Sequence, residues 1–220
     1  RMRPATLEEV LGQDHILGPG KLLRRVIEAD RLTNLIFYGP PGCGKTTLAE
    51  VIARVTLRRF ERTSGVLSNV AGLRTVCETA KLFKNGPGTV LFVDEIHRFN
   101  KSQQDVLLPY VENGTVTLIG ATTHNPNVFV NSPLTSRSLV FELRPLSEAA
   151  VAALVHRAVA DTERGLGSLR LDLTQGAVDF LSVICDGDAR RALTALEVAA
   201  LSTPPDEDGV IRLTHTVVEE

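Results

Sequence analysis

Residues 39–46 carry the pattern in this chain that is most specific for chemistry. They read Gly-Pro-Pro-Gly-Cys-Gly-Lys-Thr, which fits the phosphate-binding pattern G-x-x-x-x-G-K-[ST] at every fixed position. An apolar run at 35–38 precedes the pattern and a helical pattern at 46–53 follows it, so the strand–loop–helix context that such a loop requires is present. The segment is therefore predicted to bind a nucleotide through Gly39, Pro40, Pro41, Gly42, Cys43, Gly44, Lys45, Thr46 and Thr47.

The residue types in this loop have separate tasks. Glycine adopts the backbone conformations that turn N–H groups toward phosphate oxygens. We expect Lys45 to reach the β- and γ-phosphates and the Thr46 hydroxyl to bind Mg²⁺. The N-terminus of the following helix adds a favourable dipole for an anion. The expected ligands are ATP and Mg²⁺.

Two carboxylates end the apolar run at 90–93. We expect Asp94 to support the metal directly or through water, and Glu95 beside it to orient and polarise an attacking water. Two solvated acids at the end of a strand are the alternative for this pair alone, but the phosphate loop upstream favours the catalytic interpretation. His97 is interpreted as a local helix-capping or interface residue.

Polar residues with a further possible role follow at three later points in the chain. Thr122 or Thr123, after the next predicted strand, can hydrogen-bond the attacking water or the γ-phosphate. Arg137 precedes the last strand and is expected to face away from its own phosphate loop, toward a neighbouring subunit. Arg190 begins a helix and can extend over the phosphates. From the residues alone, surface salt bridges remain the alternative for both arginines.

Apolar runs alternate with helical patterns along the first two thirds of the chain. Such runs suit a parallel sheet that is buried on both faces, so residues 1–145 are predicted to form an α/β nucleotide-binding core with a parallel sheet flanked by helices. Residues 146–220 are predicted to form a small all-helical lid subdomain. The expected strands are 35–38, 58–62, 89–93, 116–119 and 139–143. The expected helices are a short one opened by a capping box at Thr6, then 21–29, 46–55, 70–83, 101–112, 147–160, 174–184 and 189–201.

Composition excludes several classes of protein. The 220 residues are 43% hydrophobic, which is ordinary for a globular protein, and no apolar run is long enough to cross a membrane. The net charge is −2, so any binding of nucleic acid must come from local patches or from several subunits together. The three cysteines form neither a disulfide framework nor a zinc-binding set, which favours a reducing compartment. Two basic clusters are candidate DNA contacts, with solvated helix faces as the alternative: Arg54, Arg58, Arg59 and Arg62, and Arg98 with Lys101.

Three longer stretches carry a resemblance to a known family. Tyr38–Ala49, Asp94–Asp105 and Gly114–Thr123 resemble the replication-associated recombination protein A family (RarA, also MgsA), which includes the Werner helicase-interacting protein. This family belongs to the clamp-loader and Holliday-junction-motor branch of the AAA+ ATPases. The resemblance extends over essentially all of the chain, and the stretch from Arg98 to Asp105 is its most specific part. The chain departs from the family pattern at His124, where that pattern has Glu.

The resemblance implies a role for each candidate residue. It makes Glu95 the catalytic base, Thr123 the sensor-1 residue, Arg137 the arginine finger and Arg190 the sensor-2 residue, with the P-loop and Asp94 holding ATP and Mg²⁺. The adenine contacts that it implies are Leu11, Gly12 and Ile16.

The resemblance also implies a biological setting. It suggests an ATPase that acts at stalled replication forks, in the bacterial cytoplasm or, in a eukaryote, in the nucleus. The implied partners are DNA with single-strand/double-strand junctions or ends and single-stranded DNA-binding protein. Members of the family assemble as tetramers through a further C-terminal domain, which we expect this chain to lack. The alternatives are a clamp-loader subunit, a Holliday-junction branch-migration motor and, from another class, a nucleotide-gated scaffold with little turnover.

Overall fold

A parallel β-sheet organises the larger part of the molecule. The computed structural model describes residues 2–64 and 69–219 and separates into two compact units. The first, the α/β unit, comprises residues 4–40 and 44–143. Its strands are β1 (Asn34–Tyr38), β2 (Arg59–Ser64), β3 (Thr89–Asp94), β4 (Thr117–Thr122) and β5 (Ser138–Glu142).

The five strands lie in the order β2-β3-β4-β1-β5, and every neighbouring pair is parallel. Parallel neighbours need crossover connections, which are usually helical. All strands therefore end at one edge of the sheet, here called the carboxyl edge, and begin at the opposite amino edge. The helices of the unit are α1 (Asp14–Leu17), α2 (Leu22–Glu28), α3 (Lys45–Val55), α4 (Val70–Lys81), α5 (Lys101–Glu112), α6 (Pro126–Phe129) and α7 (Ser132–Thr135).

The central strands are buried because their sequences are apolar at consecutive positions. In β1 and β3, Phe37 and Phe92 have no exposed surface, and Phe60 on β2 stacks on Phe92 with ring centroids 5.9 Å apart. Truncating a buried phenylalanine costs about 3–5 kcal/mol of stability, so these rings hold the strand ends at fixed positions. The predicted parallel sheet is confirmed, including the strand expected at 58–62, which corresponds to β2.

The second unit is mainly helical and comprises residues 144–219 together with 2–3 and 41–43. Its helices begin at side chains that accept hydrogen bonds from free backbone N–H groups: Ser147 accepts from Ala150 N, and Asp188 Oδ1 accepts from Arg190 N at 2.8 Å. The elements are α8 (Glu148–Ala160), β6 (Leu171–Leu173), α9 (Gln175–Ile184), α10 (Ala189–Ser202), β7 (Ile211–Leu213) and α11 (His215–Glu219).

Two local predictions are wrong. The short helix expected to begin at Thr6 is not formed. Instead, the Ala5 N–H donates to the Glu9 carboxylate at 2.9 Å and Gly12 adopts a positive φ of 75°, so the first helix begins only at Asp14. The expectation that no strand follows residue 145 also fails, because β6 and β7 form a parallel pair of three residues each. Strands of this length are too short to show a period in sequence.

Within the described ranges, no helix is both long enough and apolar enough to span a bilayer.

Candidate active site

The loop after β1 has the backbone conformation of a phosphate-binding loop. Gly42 and Gly44 have φ values of 75° and 99°, which are accessible to glycine without strain. Gly44 is the N-cap of α3. The Lys45 ammonium donates to the carbonyls of Gly39 at 2.6 Å and Pro40 at 2.7 Å, and the residue is only 8% exposed. The loop thus holds a positive charge at the N-terminus of a helix, an arrangement suited to phosphate.

Asp94, the last residue of β3, is bound by a side chain from the next strand. Arg62 on β2 lies 2.7 Å from its Oδ2 atom. The register pairs Arg62 with Phe92 and Ser64 with Asp94, so Arg62 and Asp94 are offset by two residues and lie on the same face of the sheet. The sequence makes Arg62 part of a candidate DNA-binding cluster, with a solvated helix face as the alternative. The signal that could have revealed the pair was this register, which needs β2 to be extended to residue 64.

Glu95 occupies a conformation that is rare for its residue type. Its φ and ψ are 51° and 49°, in the left-handed region, and its carbonyl accepts from the Arg98 N–H at 2.9 Å. A 3-10 turn over Ile96–Arg98 follows. The turn is anchored by Ile96, which is fully buried and packs so closely on Gly120 of β4 that a Cβ atom there would lie 3.1 Å from it. The backbone next to the predicted base is therefore fixed by packing.

The Glu95 carboxylate faces an imidazole. Its Oε2 atom lies 3.2 Å from Nδ1 of His97, and the same nitrogen lies 2.9 Å from Oγ1 of Thr122. The ring of His124 packs edge-on against His97, with centroids 4.3 Å apart. Burial lowers the pKa of His97 below its ordinary value; the Glu95 charge opposes this shift, while His124 and Arg98 add to it. His97 is thus favoured as a neutral imidazole at neutral pH.

The two threonines after β4 differ in environment. Thr122 is fully buried and its hydroxyl accepts from the His124 N–H at 3.0 Å as well as contacting His97. Thr123, the expected sensor residue, is exposed. The structure therefore draws Thr122, and not Thr123, into the group around Glu95. The sensor role of Thr123 stays a prediction.

Arg137 lies at the amino edge of the sheet, because it immediately precedes β5. Its side chain is 44% exposed, and its guanidinium pairs with Glu112 at 2.8 Å and donates to the Pro133 carbonyl at 3.0 Å. The phosphate loop follows the end of β1 at the opposite edge. Arg137 therefore lies at the edge opposite the phosphate loop of its own chain, and its action on a neighbouring subunit stays a prediction.

The remaining predicted contacts lie at several places. Ile16 is buried in α1, and Gly12 and Leu11 precede that helix and are half-buried. In the helical unit, Arg190 is exposed in the first turn of α10, and Cys43 is buried. The adenine-binding and sensor-2 roles of these residues stay predictions.

The candidate metal ligands suit Mg²⁺ better than a transition metal. No group of three or more His, Cys, Asp or Glu side chains that could hold a metal occurs in residues 2–64 and 69–219. Thr46 and Asp94 instead offer one hydroxyl and one carboxylate. Mg²⁺ is commonly bound through one or two protein oxygens, with substrate phosphates and waters completing its shell. The residues present fit that ion.

The basic cluster proposed for DNA binding is largely neutralised. Arg58 pairs with Asp30 at 3.1 Å and Arg59 with Glu61, in addition to the pair between Arg62 and Asp94 described above. Charges that already have partners contribute less to binding phosphate backbones. These three arginines are therefore weaker candidates for a DNA contact than their sequence spacing suggested.

Comparison with protein-family models assigns both parts of the chain. The model described as the Holliday junction DNA helicase RuvB P-loop domain matches residues 2–124. The model described as the AAA C-terminal domain matches residues 167–220.

Curated relatives match over nearly the whole chain. An uncharacterised AAA domain-containing protein of Mycobacterium tuberculosis is 53% identical over 201 residues, which are 91% of this chain and 44% of that protein. Replication-associated recombination protein A is 47% identical in Escherichia coli K12, over 95% of this chain and 47% of that protein. The Bacillus subtilis protein of that name is 40% identical, over 100% of this chain and 52% of that protein. The chain thus spans about half the length of the curated relatives it matches.

Solved structures show the same fold. The RuvB Holliday junction branch migration motor of Thermotoga maritima superimposes with a TM-score of 0.76 and 27% identity, covering 99% of this chain and 71% of that one. A variant of that RuvB gives a TM-score of 0.80 at 27% identity with the same coverage.

Proposed function

Because the chain belongs to the replication-associated recombination protein A family of AAA+ P-loop ATPases, we propose that it hydrolyses ATP with Glu95 as general base. The observation that carries the proposal is the common edge of the sheet. The phosphate loop with Lys45 follows β1, and the pair Asp94–Glu95 ends β3, so parallel strands bring a cationic loop and two carboxylates to one side. Ligands of open α/β sheets bind at this edge.

Each residue has one task in the proposed reaction. Lys45 and the loop N–H groups bind the phosphates, and Thr46 and Asp94 hold Mg²⁺, which supplies positive charge to the phosphate oxygens when bound. Glu95 accepts a proton from the attacking water. Thr123 reports the γ-phosphate, and Leu11, Gly12 and Ile16 contact adenine.

Substitution of the base tests the proposal. Glu95→Gln keeps the shape of the side chain and removes its basicity, so turnover should fall by at least about 10²-fold while the affinity for ATP stays within about twofold. The measurements are phosphate release at saturating ATP and titration with a fluorescent ATP analogue. Turnover at the normal rate in Glu95→Gln would show that another group is the base. A wild-type protein that binds ATP, associates with other subunits and still releases no phosphate would favour the nucleotide-gated scaffold.

We propose that two arginines complete the cycle. Arg137, at the edge opposite its own phosphate loop, is assigned to the site of a neighbouring subunit, where a guanidinium stabilises the charge of the transition state. Arg190 is assigned as the residue that couples nucleotide state to the helical unit. Arg190→Ala should lower turnover; a normal rate and a normal ATP affinity in that variant would remove it from the site.

For the protein as a whole, we propose an ATPase that maintains replication forks and takes part in recombination. The names of the relatives support this setting. Its proposed partners are DNA with single-strand/double-strand junctions or ends and single-stranded DNA-binding protein, and its proposed assembly is a homo-oligomer. The test compares ATPase rates with single-stranded, duplex, gapped and forked DNA at constant salt. Stimulation that is equal for all DNA forms would contradict the preference for junctions.

A second candidate function is branch migration. It is favoured by the likeness to the Thermotoga maritima RuvB motor over 99% of this chain. A four-way junction with labelled arms distinguishes the two, because a motor should separate the arms in an ATP-dependent manner. ATP hydrolysis without separation of the arms would favour the first proposal.

A further inference from the structure

The group around Glu95 contains a side chain with no assigned task. His97 is only 10% exposed as a side chain, although it lies in the 3-10 turn at the carboxyl edge of the sheet. Its Nδ1 atom lies 3.2 Å from Glu95 Oε2 and 2.9 Å from Thr122 Oγ1. One ring nitrogen is thus shared between the residue that follows β3 and the last residue of β4.

The surrounding hydrogen bonds indicate which atoms donate. A carboxylate only accepts hydrogen bonds. The tautomer of the neutral ring that carries its hydrogen on Nδ1 is therefore favoured beside Glu95, because Nδ1 is then a donor. The Thr122 hydroxyl lies 3.3 Å from the carbonyl oxygen of His124, to which it can donate, and accepts from the His124 N–H at 3.0 Å. A lone pair of Oγ1 then remains to accept from His97. When Nδ1 carries the hydrogen, it faces two acceptors, Glu95 Oε2 and Thr122 Oγ1, and the other contacts of Oγ1 are retained.

Packing prevents the His97 ring from turning away. His124 lies edge-on at 4.3 Å between centroids, and Phe129 lies at 6.3 Å. The preceding residue, Ile96, is fully buried against Gly120. The ring and the backbone that carries it are therefore both restrained. The left-handed φ of 51° at Glu95 costs energy for a residue other than glycine and persists only where neighbours fix it.

We propose that His97 is the positioning residue of Glu95: its Nδ1–H holds the carboxylate and links it to Thr122 at the end of β4. This inference rests on the proposed role of Glu95 as base. His97 does not touch the reacting atoms; it restricts the rotamers of Glu95 so that the carboxylate is available for water. His124, which departs from the family pattern, takes part by packing as a ring against His97.

Three substitutions at this position separate the donor from the bulk. Asn carries its amide N–H₂ close to the position of Nδ1, Gln carries it close to that of Nε2, and Leu fills the space without a donor. We expect His97→Leu and His97→Gln to lower kcat about tenfold, the scale of one lost hydrogen bond to a charged group. His97→Asn should retain at least about half of the normal kcat, and the affinity for ATP should be unchanged in all three.

If His97 positions Glu95, the loss of turnover in the His97 variants depends on the presence of the Glu95 carboxylate. In a Glu95→Gln background, His97→Leu should cause no further loss of single-turnover rate, because the group that it positions is absent. His156→Leu, at an exposed histidine on α8, is the matched control and should leave kcat and the melting temperature unchanged.

Each outcome of these measurements either supports or contradicts the positioning role of His97. Normal or raised kcat in His97→Leu would overturn the inference, as would an equal loss in the Asn, Gln and Leu variants together with weaker ATP binding or a lowered melting temperature. Full turnover in Glu95→Gln would instead overturn the proposed function itself. Loss in the Leu and Gln variants, rescue by Asn and no additive effect with Glu95→Gln would support the inference.

Discussion

The two edges of the five-stranded sheet use the same residue types differently. At the carboxyl edge, Asp94 pairs with Arg62, and Glu95 contacts His97. At the amino edge, Arg58 pairs with Asp30 in a similar way. The pairs at the carboxyl edge involve groups at strand ends, on the edge where the phosphate loop follows β1. The pair at the amino edge has no such neighbour, so a charged pair indicates chemistry only through its position on the sheet.

The amino edge also carries a groove with a volume of about 450 Å³. Its lining includes Leu57 and Leu82, which are 79% and 80% exposed, and Phe83, which lies under the guanidinium of Arg59 at 4.4 Å. The amino edge therefore presents a groove, and the carboxyl edge presents polar side chains. What distinguishes them is that strand ends at the carboxyl edge carry acids and threonines, whereas the amino edge presents only Arg137 as a residue with a predicted catalytic role.

Removing Arg137 is expected to have the largest effect. Arg137→Ala should lower turnover by about 10³-fold or more at saturating ATP, because an arginine finger stabilises the charge of the transition state, while ATP affinity changes little. In the wild-type chain, turnover per molecule should rise with protein concentration as subunits associate. A rate per molecule that is high and independent of concentration in sedimentation-verified monomer would place the complete site within one chain and contradict the comparison.

Lys45→Ala is expected to weaken ATP binding by about 10- to 100-fold, since it removes a charge-assisted hydrogen bond to phosphate. Titration of a fluorescent ATP analogue measures this. Lys84→Ala, at an exposed residue of the α/β unit away from the carboxyl edge, is the matched control. Equal ATP affinity in Lys45→Ala and wild type would contradict the assignment of the loop.

A matched pair of arginine substitutions compares the edges directly. Arg62→Ala frees Asp94 from its ion pair and should lower the Mg²⁺ concentration for half-maximal turnover by about two- to fivefold, the scale of an exposed pair of about 0.5–1 kcal/mol. Arg58→Ala breaks a comparable pair at the amino edge and should leave the Mg²⁺ dependence unchanged. The same Mg²⁺ shift in both variants would show that general charge, and not contact with Asp94, is responsible.

The smallest effect is expected at Leu57, whose backbone is left-handed like that of Glu95, with a φ of 53°. Leu57 follows the C-cap of α3, a position that favours glycine. Leu57→Gly should raise the free energy of unfolding by about 0.5–1 kcal/mol and leave kcat unchanged. Thermal and denaturant unfolding measure the change. Reduced turnover in Leu57→Gly would mean that the strained backbone at this edge also serves the site.

Much of the α/β unit follows from local sequence. Consecutive apolar residues predicted β1 and β3, and the glycines before Lys45 predicted the loop, because both signals depend on residues adjacent in the chain. The contacts of Asp94 and Glu95 do not follow from local sequence. The pair between Arg62 and Asp94 depends on the register of two strands 30 residues apart, which residues adjacent in the chain do not determine.

The contacts of His97 could not be predicted for a related reason. A capping or interface residue is the ordinary interpretation of a histidine after a strand, and its contact with Thr122 joins residues separated by 25 positions. Thr6 shows the opposite error: a local pattern for a helix start was present, but the Glu9 carboxylate binds the Ala5 N–H and Gly12 takes a positive φ. The contact of His97 joins distant residues, whereas the segment after Thr6 is set by a local hydrogen bond and a local backbone conformation.

The left-handed backbone at Glu95 has an electrostatic consequence. Two neighbouring negative charges repel each other, and the repulsion grows as water is excluded. Because the chain turns at Glu95, its carboxylate contacts His97 in the following 3-10 turn, whereas Asp94 contacts Arg62 on β2. Each acid thus has a partner of its own, a guanidinium for Asp94 and an imidazole for Glu95. The positive φ of Glu95 therefore allows two consecutive acids to lie at the same strand end and to contact different partners.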